Sequence, residues 1–270
     1  MLSAIAAVAL AAVGFAPSAG GSPAVRLPEP VRLTIAASGD FLIHSPVFSR
    51  ALANGGGARY DFAPMFRPVR PWIAGADLAL CHVETPLVPG APAGYPSFRT
   101  PPDLAGAIRS TGWDACSTAS NHSLDAGQYG IDATIAALRR AGVSFDGTAR
   151  SPRGSRRFPI LERRGVRVAF LAYTALTNGQ VVPHRWSLNF ARPERILADA
   201  RRARRRGADA VIVNLHWGAE FQPAVTGEQR ALARRLTRSP NVTAVVGQHV
   251  HVVQPIRRVN GKIVVFGEGT

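Results

Sequence analysis

Short apolar runs rich in β-branched residues recur along this chain, and stretches with helical periodicity separate them. That alternation limits the fold more than any other feature. The strand candidates are VRLTIAAS (31–38), DLALCHV (77–83), DACSTAS (114–120), ADAVIVNL (208–215) and VTAVV (242–246). DLAGAIRS (103–110) reads as a short helix with Asp103 as N-cap. GQYGIDATIAALRRAG (127–142) reads as a longer one, because Ile131, Ile135 and Leu138 recur at helical spacing and Gly142 supplies a stop. PERILADARRARRRG (193–207) opens on proline and closes on glycine, as helices do, and GEQRALARRL (227–236) is a further helix. Two hairpins are expected. FPILERRGVRVAFLAY (158–173) turns at Arg164-Gly165, and QPIRRVNGKIVVFG (254–267) turns at Asn260-Gly261. No internal repeat is visible, so the fold class is α/β with added hairpins.

The N-terminus is of a different kind. An apolar run from Leu2 to Phe15 is too short for an ordinary membrane span but has the length of a signal-peptide core, and small residues follow it. The expected organisation is an export signal over 1–20, cut near Ala19 or Gly20, then a Pro/Gly/Ser-rich linker over 21–30, then one domain over 31–270. An uncleaved anchor is the alternative. Export places the protein outside the cell or in the cell envelope. The two cysteines, Cys81 and Cys116, lie in separate apolar runs. A disulfide is permitted after export, but the plainer expectation is two buried thiols on neighbouring strands.

The chain carries 32 Lys+Arg against 17 Asp+Glu, a formal +15, and every basic residue except Lys262 is arginine. Such a balance favours anionic partners: a polyanion, a phosphate ester or an acidic envelope. The run RRARRRG (201–207) has no interleaved aromatics and belongs to no recognised nucleic-acid module. It reads as a solvated helix face, and no nucleic-acid partner is expected.

Chemistry-bearing residues gather where the strands end. Gly39-Asp40 follows LTIAAS, with His44 close by; Glu84 follows LALCHV; Asn121-His122 and then Asp125 follow ACSTAS. His216 follows VIVNL, with Glu220 four residues on, and His249 and His251 follow VTAVV. If GQHVHVVQ (247–254) is extended, both of its imidazoles face one point. Six of the seven histidines fall in these five places, and His184 alone does not. Open α/β sheets collect ligand sites outside the carboxyl ends of their strands. Imidazoles and carboxylates meeting in one cleft need a counter-charge, which a divalent cation supplies. The donors are nitrogen and oxygen without thiolate, which suits Mn, Zn or Fe. Asp40, Glu84, Asn121, His216, His249 and His251, with His44 as a further candidate, exceed one tetrahedral site. They fit two divalent transition metals sharing a bridging carboxylate. His122 is then left to hold a leaving-group oxygen or donate a proton. Asp125 has the position of a cap for the helix at 127.

The blocks GDFLIH, HVETPL, ASNHSLDAGQYGIDAT, NLHWGAEF and GQHVHVVQPI, in this order, resemble the CapA family. These are bacterial capsule and poly-γ-glutamate synthesis proteins similar to calcineurin-like metallophosphoesterases. The resemblance runs from Val31 to the end. It implies a four-layer α/β/β/α sandwich with a two-metal cleft between sheet edges. It also implies Asp40 as the first metal-binding aspartate, Glu84 at the bridging position, Asn121 as ligand with His122 as catalytic histidine, and His216, His249 and His251 as the last three histidines. The implied role is making or handling an anionic envelope polymer such as poly-γ-glutamate, alongside membrane-associated polymer-synthesis machinery. A phosphoesterase acting on nucleotides or phosphorylated glycans, and a non-catalytic scaffold of polymer export, are the alternatives. Three positions depart from the family pattern. His82 stands where an asparagine is usual and is either an added ligand or a packing residue. His44 is four residues after Asp40 rather than two. The chain stops at VVFGEGT, where the family continues through a Gly-Asn segment, so a longer natural protein is expected.

Overall fold

The structure is a computed structural model that describes residues 31–270; the expected export signal (1–20) and linker (21–30) lie outside the described residues. The apolar runs form two sheets. In the first, β1 (Ile35–Phe41), β2 (Leu78–Val83), β3 (Ala115–Ser117) and β4 (Ser144–Asp146) lie side by side in that order, all parallel. The second contains β5 (Ile160–Arg163), β6 (Val166–Thr174), β7 (Ala210–His216), β8 (Ala244–Gln248), β9 (Ile256–Val259) and β10 (Lys262–Val265), ordered β5-β6-β7-β8-β10-β9. Its four central strands are parallel, and the hairpin strands β5 and β9 close its edges antiparallel. Both hairpins turn where expected. Arg164 and Gly165, then Asn260 and Gly261, have positive φ at both central positions, the backbone that suits the strand twist.

Strand alternation builds the layers. Leu78, Leu80 and Ala115 of the first sheet face Val168, Phe170, Ala172, Ile212 and Val246 of the second and fill the space between them. The intervening residues Val211, Val213 and Leu215 point the other way, against Ile196, Ala200 and Ala203 of α6 (Pro193–Arg205) and Ala233 and Leu236 of α7 (Gly227–Thr237). On the opposite outer face, Ala79, Cys81 and Val83 meet Leu104 and Ile108 of α4 (Asp103–Thr111) and Leu138 of α5 (Gly127–Ala141). The result is the four-layer α/β/β/α sandwich.

Several local expectations change. Residues 45–74, read without elements, contain α1 (Ser45–Asn54), α2 (Ala63–Phe66) and α3 (Arg70–Ala74), each with proline in its first turn. Two of them are too short to show a period. Asp103 lies inside α4, whose N-cap is Pro102. Cys81 and Cys116 do sit on neighbouring strands, but as directly opposed partners of β2 and β3 they form a disulfide rather than two thiols. In the arginine run of α6, Arg201, Arg205 and Arg206 are exposed, as a solvated face requires, while two others are anchored to the protein. Arg202 pairs with Asp199 at 2.8 Å, and Arg204 donates to the carbonyl of Asn241 and the hydroxyl of Thr243.

Asp146 ties the sheets together. From the end of β4 its Oδ2 accepts from the backbone N–H of Ala172 in β6 at 2.7 Å. Burial pushes this carboxyl up to about 7 from its ordinary 3.8. The unfolded chain therefore loses this proton at lower pH than the folded one, and native stability falls as pH rises from about 4 to about 7. Asp146→Asn cannot ionise. Relative to wild type, its melting temperature is expected to gain about 5 °C between about pH 5 and pH 8. A constant difference across that range refutes this account.

Candidate metal centre

Because the strands that supply them are parallel, their carboxyl ends open to one side of the sandwich. Asp40 lies near the end of β1, past a register shift between Ala37 and Asp40. Glu84 follows β2 directly, Asn121 and His122 occupy the turns after β3, and His216 ends β7. Gly39 is required beside Asp40, since a Cβ there would sit 2.2 Å from the carbonyl oxygen of Gly269.

The histidines after β8 differ from expectation. The strand ends at Gln248, and His249 and His251 have φ of 90° and 56°. Their rings, 6.0 Å apart, are brought together by left-handed backbone in a loop and not by strand alternation. The backbone N–H of His249 donates to Asp40 Oδ2 at 3.0 Å, which locks the loop to β1.

Around Asp40 the side chains converge. Its Oδ1 is 3.6 Å from His82 Nε2 and 3.8 Å from His216 Nδ1, and its Oδ2 is 3.2 Å from His251 Nδ1. Glu84 Oε1 lies 3.8 Å from both His216 Nε2 and His251 Nε2. Asn121 Oδ1 is 2.8 Å from His216 Nε2. Four overlapping triads bring donor atoms within 4.8 Å of one another: Asp40/His82/His216, Glu84/His216/His249, Glu220/His249/His251 and Asp40/Glu84/His251. His82 thus faces the cluster, stacked on His216 with ring centres 4.8 Å apart. Glu220 is exposed at its mouth.

The donor set fits a cation. Asp40 Oδ1, both oxygens of Glu84, both ring nitrogens of His82, and Nδ1 of His216 and of His249 are buried without a hydrogen-bond partner. Asn214 approaches His82 without hydrogen-bond geometry. Unpaired buried groups of this kind are costly. Burial, then Asp40, pushes the Glu84 carboxyl well above its ordinary range. Burial, then the neighbouring imidazoles, pushes His216 well below its own. His82 falls to about 4, because burial outweighs the opposing pull of Asp40, and burial also lowers His249. Neutral imidazoles are the ligand form, and a positive ion is what would let Glu84 ionise beside Asp40.

His122 stands at the rim. Its Nδ1 is 2.8 Å from Asp125 Oδ2, and its Nε2 has no hydrogen-bond partner among the described residues. Asp125 does not cap α5, whose N-cap is Ala126 without a side-chain bond. It accepts instead from His122, from the backbone N–H of Phe98 at 2.7 Å and from Gln180 Nε2 at 2.8 Å. His44 is exposed, contacts Phe98 at 5.0 Å between ring centres, and lies outside the four triads. Phe98, Asn178 and Gln180 escaped the sequence reading. Asn178 accepts from Asn121 Nδ2 at 3.2 Å, yet it and Gln180 come from an unpatterned loop, where no spacing signals them.

Two sheets in an α/β/β/α sandwich, with Asp, Glu, Asn and His gathered at the carboxyl ends of parallel strands, have the fold of the calcineurin-like phosphoesterases. A calcineurin-like phosphoesterase from Bacillus subtilis superposes with a TM-score of 0.53 at 17% identity, covering 87% of this chain and 80% of that one. The chain belongs to the bacterial capsule synthesis protein PGA_cap family, which matches residues 34–270. It is similar to the capsule biosynthesis protein CapA of Bacillus anthracis, with 26% identity over 84% of this chain and 56% of that protein. It is also similar to the PGA biosynthesis protein CapA of Bacillus subtilis strain 168, with 25% identity over 60% of this chain and 43% of that protein. The chain spans about half the length of these curated relatives.

Proposed function

We propose that this chain is an exported, two-metal, hydrolase-type protein that acts in making or handling an anionic envelope polymer such as poly-γ-glutamate. The observation that carries the reading is the set of buried, unpartnered donors on Asp40, His82, Glu84, His216 and His249 beside the His122–Asp125 pair, in a capsule-synthesis family. Support for export comes from the Cys81–Cys116 disulfide, a bond that persists in oxidising compartments.

Asp40, Glu84, Asn121, His216, His249 and His251 would hold the metals, with His82 as an added donor. Bound there, divalent metals lower the pKa of water and polarise an acyl or phosphoryl oxygen. The protein's own residues do the rest. Asp125 accepts from His122 Nδ1–H and so fixes the tautomer and the ring. His122 Nε2 holds a proton at the leaving group and returns to neutrality when it is given up. Gln180 and the N–H of Phe98 keep Asp125 in place. The T-shaped packing of Phe98 on His122, 4.7 Å between centres, keeps part of the ring dry.

Elemental analysis of the full chain is expected to find about two transition-metal ions per molecule. Chelation is expected to abolish metal-dependent cleavage or transfer of poly-γ-glutamate, and Mn or Zn to restore it. Protein that neither carries nor binds either metal at micromolar levels ends the metal reading. Robust hydrolysis of an aryl phosphate or a nucleotide, without action on the polymer, replaces it with the phosphoesterase. Metal-loaded protein inert toward both substrates identifies a scaffold of the export machinery.

A further inference from the structure

A wide cleft lies away from the metal centre. It has a volume of about 890 Å³ and follows β4 and the segment 148–159, and none of its lining residues is a metal-centre candidate. Four exposed arginines line it: Arg139, Arg150, Arg153 and Arg157. A second cleft of about 660 Å³ holds Arg185, Arg192 and Arg195. The two adjoin. Arg195 Nη2 donates to the carbonyl of Ser155 at 2.8 Å, and Thr148 of the first cleft bridges Leu188 of the second.

Little in the protein neutralises these guanidinium groups. Arg150 faces Asp132 at 3.6 Å and Arg195 pairs with Asp199 at 2.7 Å. Among the described residues, Arg139, Arg153, Arg157, Arg185 and Arg192 form no ion pair within 4 Å. Asp146 is the one carboxylate lining the first cleft; it is buried and already hydrogen-bonded to Ala172, and burial keeps it largely protonated below about pH 7. Arginines elsewhere, Arg59 and Arg238 among them, also lack ion pairs; what sets these seven apart is that they line two neighbouring clefts.

We propose that the two adjoining clefts bind a linear polycarboxylate, a polyglutamate chain, at a site separate from the metal centre. The inference rests on the polymer reading above and locates where the polymer is held. Guanidinium forks match carboxylates two hydrogen bonds at a time. Two neighbouring arginine-lined clefts suit an extended chain of regularly spaced charges better than one small anion. Such a site keeps a long substrate attached while any one bond of it is at the metals.

The test uses the full chain and fluorescently labelled poly-γ-glutamate, with binding followed by anisotropy at low and high salt. Combining Arg139→Gln, Arg150→Gln, Arg153→Gln and Arg157→Gln is expected to weaken binding by about tenfold or more and to flatten its salt dependence, with metal content unchanged. A control of equal charge, Arg59→Gln with Arg238→Gln, Arg257→Gln and Arg258→Gln, is expected to change binding by less than about twofold. The single substitution Arg153→Glu, at an exposed side chain without a hydrogen bond, is expected to cost about threefold and guards against misfolding of the quadruple variant. Wild-type binding that survives the cleft substitutions, or falls as far in the control, overturns the cleft and leaves the polymer reading standing. Absence of binding by the wild type at low salt overturns both. An oligonucleotide of equal charge that binds more tightly through the same arginines overturns the polycarboxylate.

Discussion

Alanine in place of His122 is expected to leave bound metal at the wild-type level and to lower turnover by about 10²–10⁴-fold. The separation follows from geometry. His122 belongs to none of the four donor triads, and its one anchoring bond runs from Nδ1 to Asp125. Removing the ring takes away a proton carrier and leaves the donor atoms of Asp40, Glu84 and His216 where they were. Asp125→Asn tests the positioning half of the pair. It keeps an acceptor for the Phe98 N–H but removes the carboxylate that orients the His122 ring, so kcat is expected to fall with metal content unchanged. Elemental content measured with single-turnover rates decides the matter. If His122→Ala loses as much metal as a ligand variant, the assigned roles are wrong.

The converse is expected of His216→Ala. His216 takes part in two of the triads and also meets Asn121 Oδ1, so its loss removes a nitrogen donor that the two triads share. Metal affinity is expected to fall by at least about 100-fold. His216 is a cleaner probe than His249, because it ends a regular strand and alanine there introduces no backbone strain, whereas His249 has φ of 90°. A thermal scan with and without chelator provides a second readout. Wild-type protein is expected to lose several degrees on chelation, since a ligand bound only by the folded state stabilises it. The variant is expected to melt at one temperature in both conditions. A chelator-dependent shift retained in full by His216→Ala rules out its place in the centre.

Much of the fold was legible because the sheets are built from long patterned runs. Leu78, Leu80 and Val168 on one face, and Ala79, Cys81 and Val211 on the other, are what period two requires. The strand-end residues were legible for a related reason. Once the runs are strands of parallel sheets, Asp40, Glu84 and His216 must emerge on one side. Other features were hidden by their range. Asp125 reads as a helix cap locally, and its partners Phe98 and Gln180 lie 27 and 55 residues away in sequence. The approach of Gly269 to Gly39 likewise leaves no trace in any window. His249 and His251 do lie close together, but through a loop and not a strand, since alternation cannot distinguish a strand from a loop that bends back through positive φ. The Cys81–Cys116 bond depends on register, and register across a crossover is invisible before the strands pair.

That left-handed loop also sets which donor exchanges the centre tolerates. Asparagine and aspartate, like histidine, are enriched in positive-φ backbone, while glutamate and glutamine are not. His249→Asp and His251→Asn are therefore the swaps that preserve the path of the chain after β8, and His249→Glu is not, although all three exchange nitrogen for oxygen. Oxygen donors lean toward Mn and Mg, nitrogen donors toward Zn. In a metal-loaded protein the turn after β8 would thus be a handle for retuning cation choice, with the permitted alphabet written by the backbone before any ligand chemistry is considered.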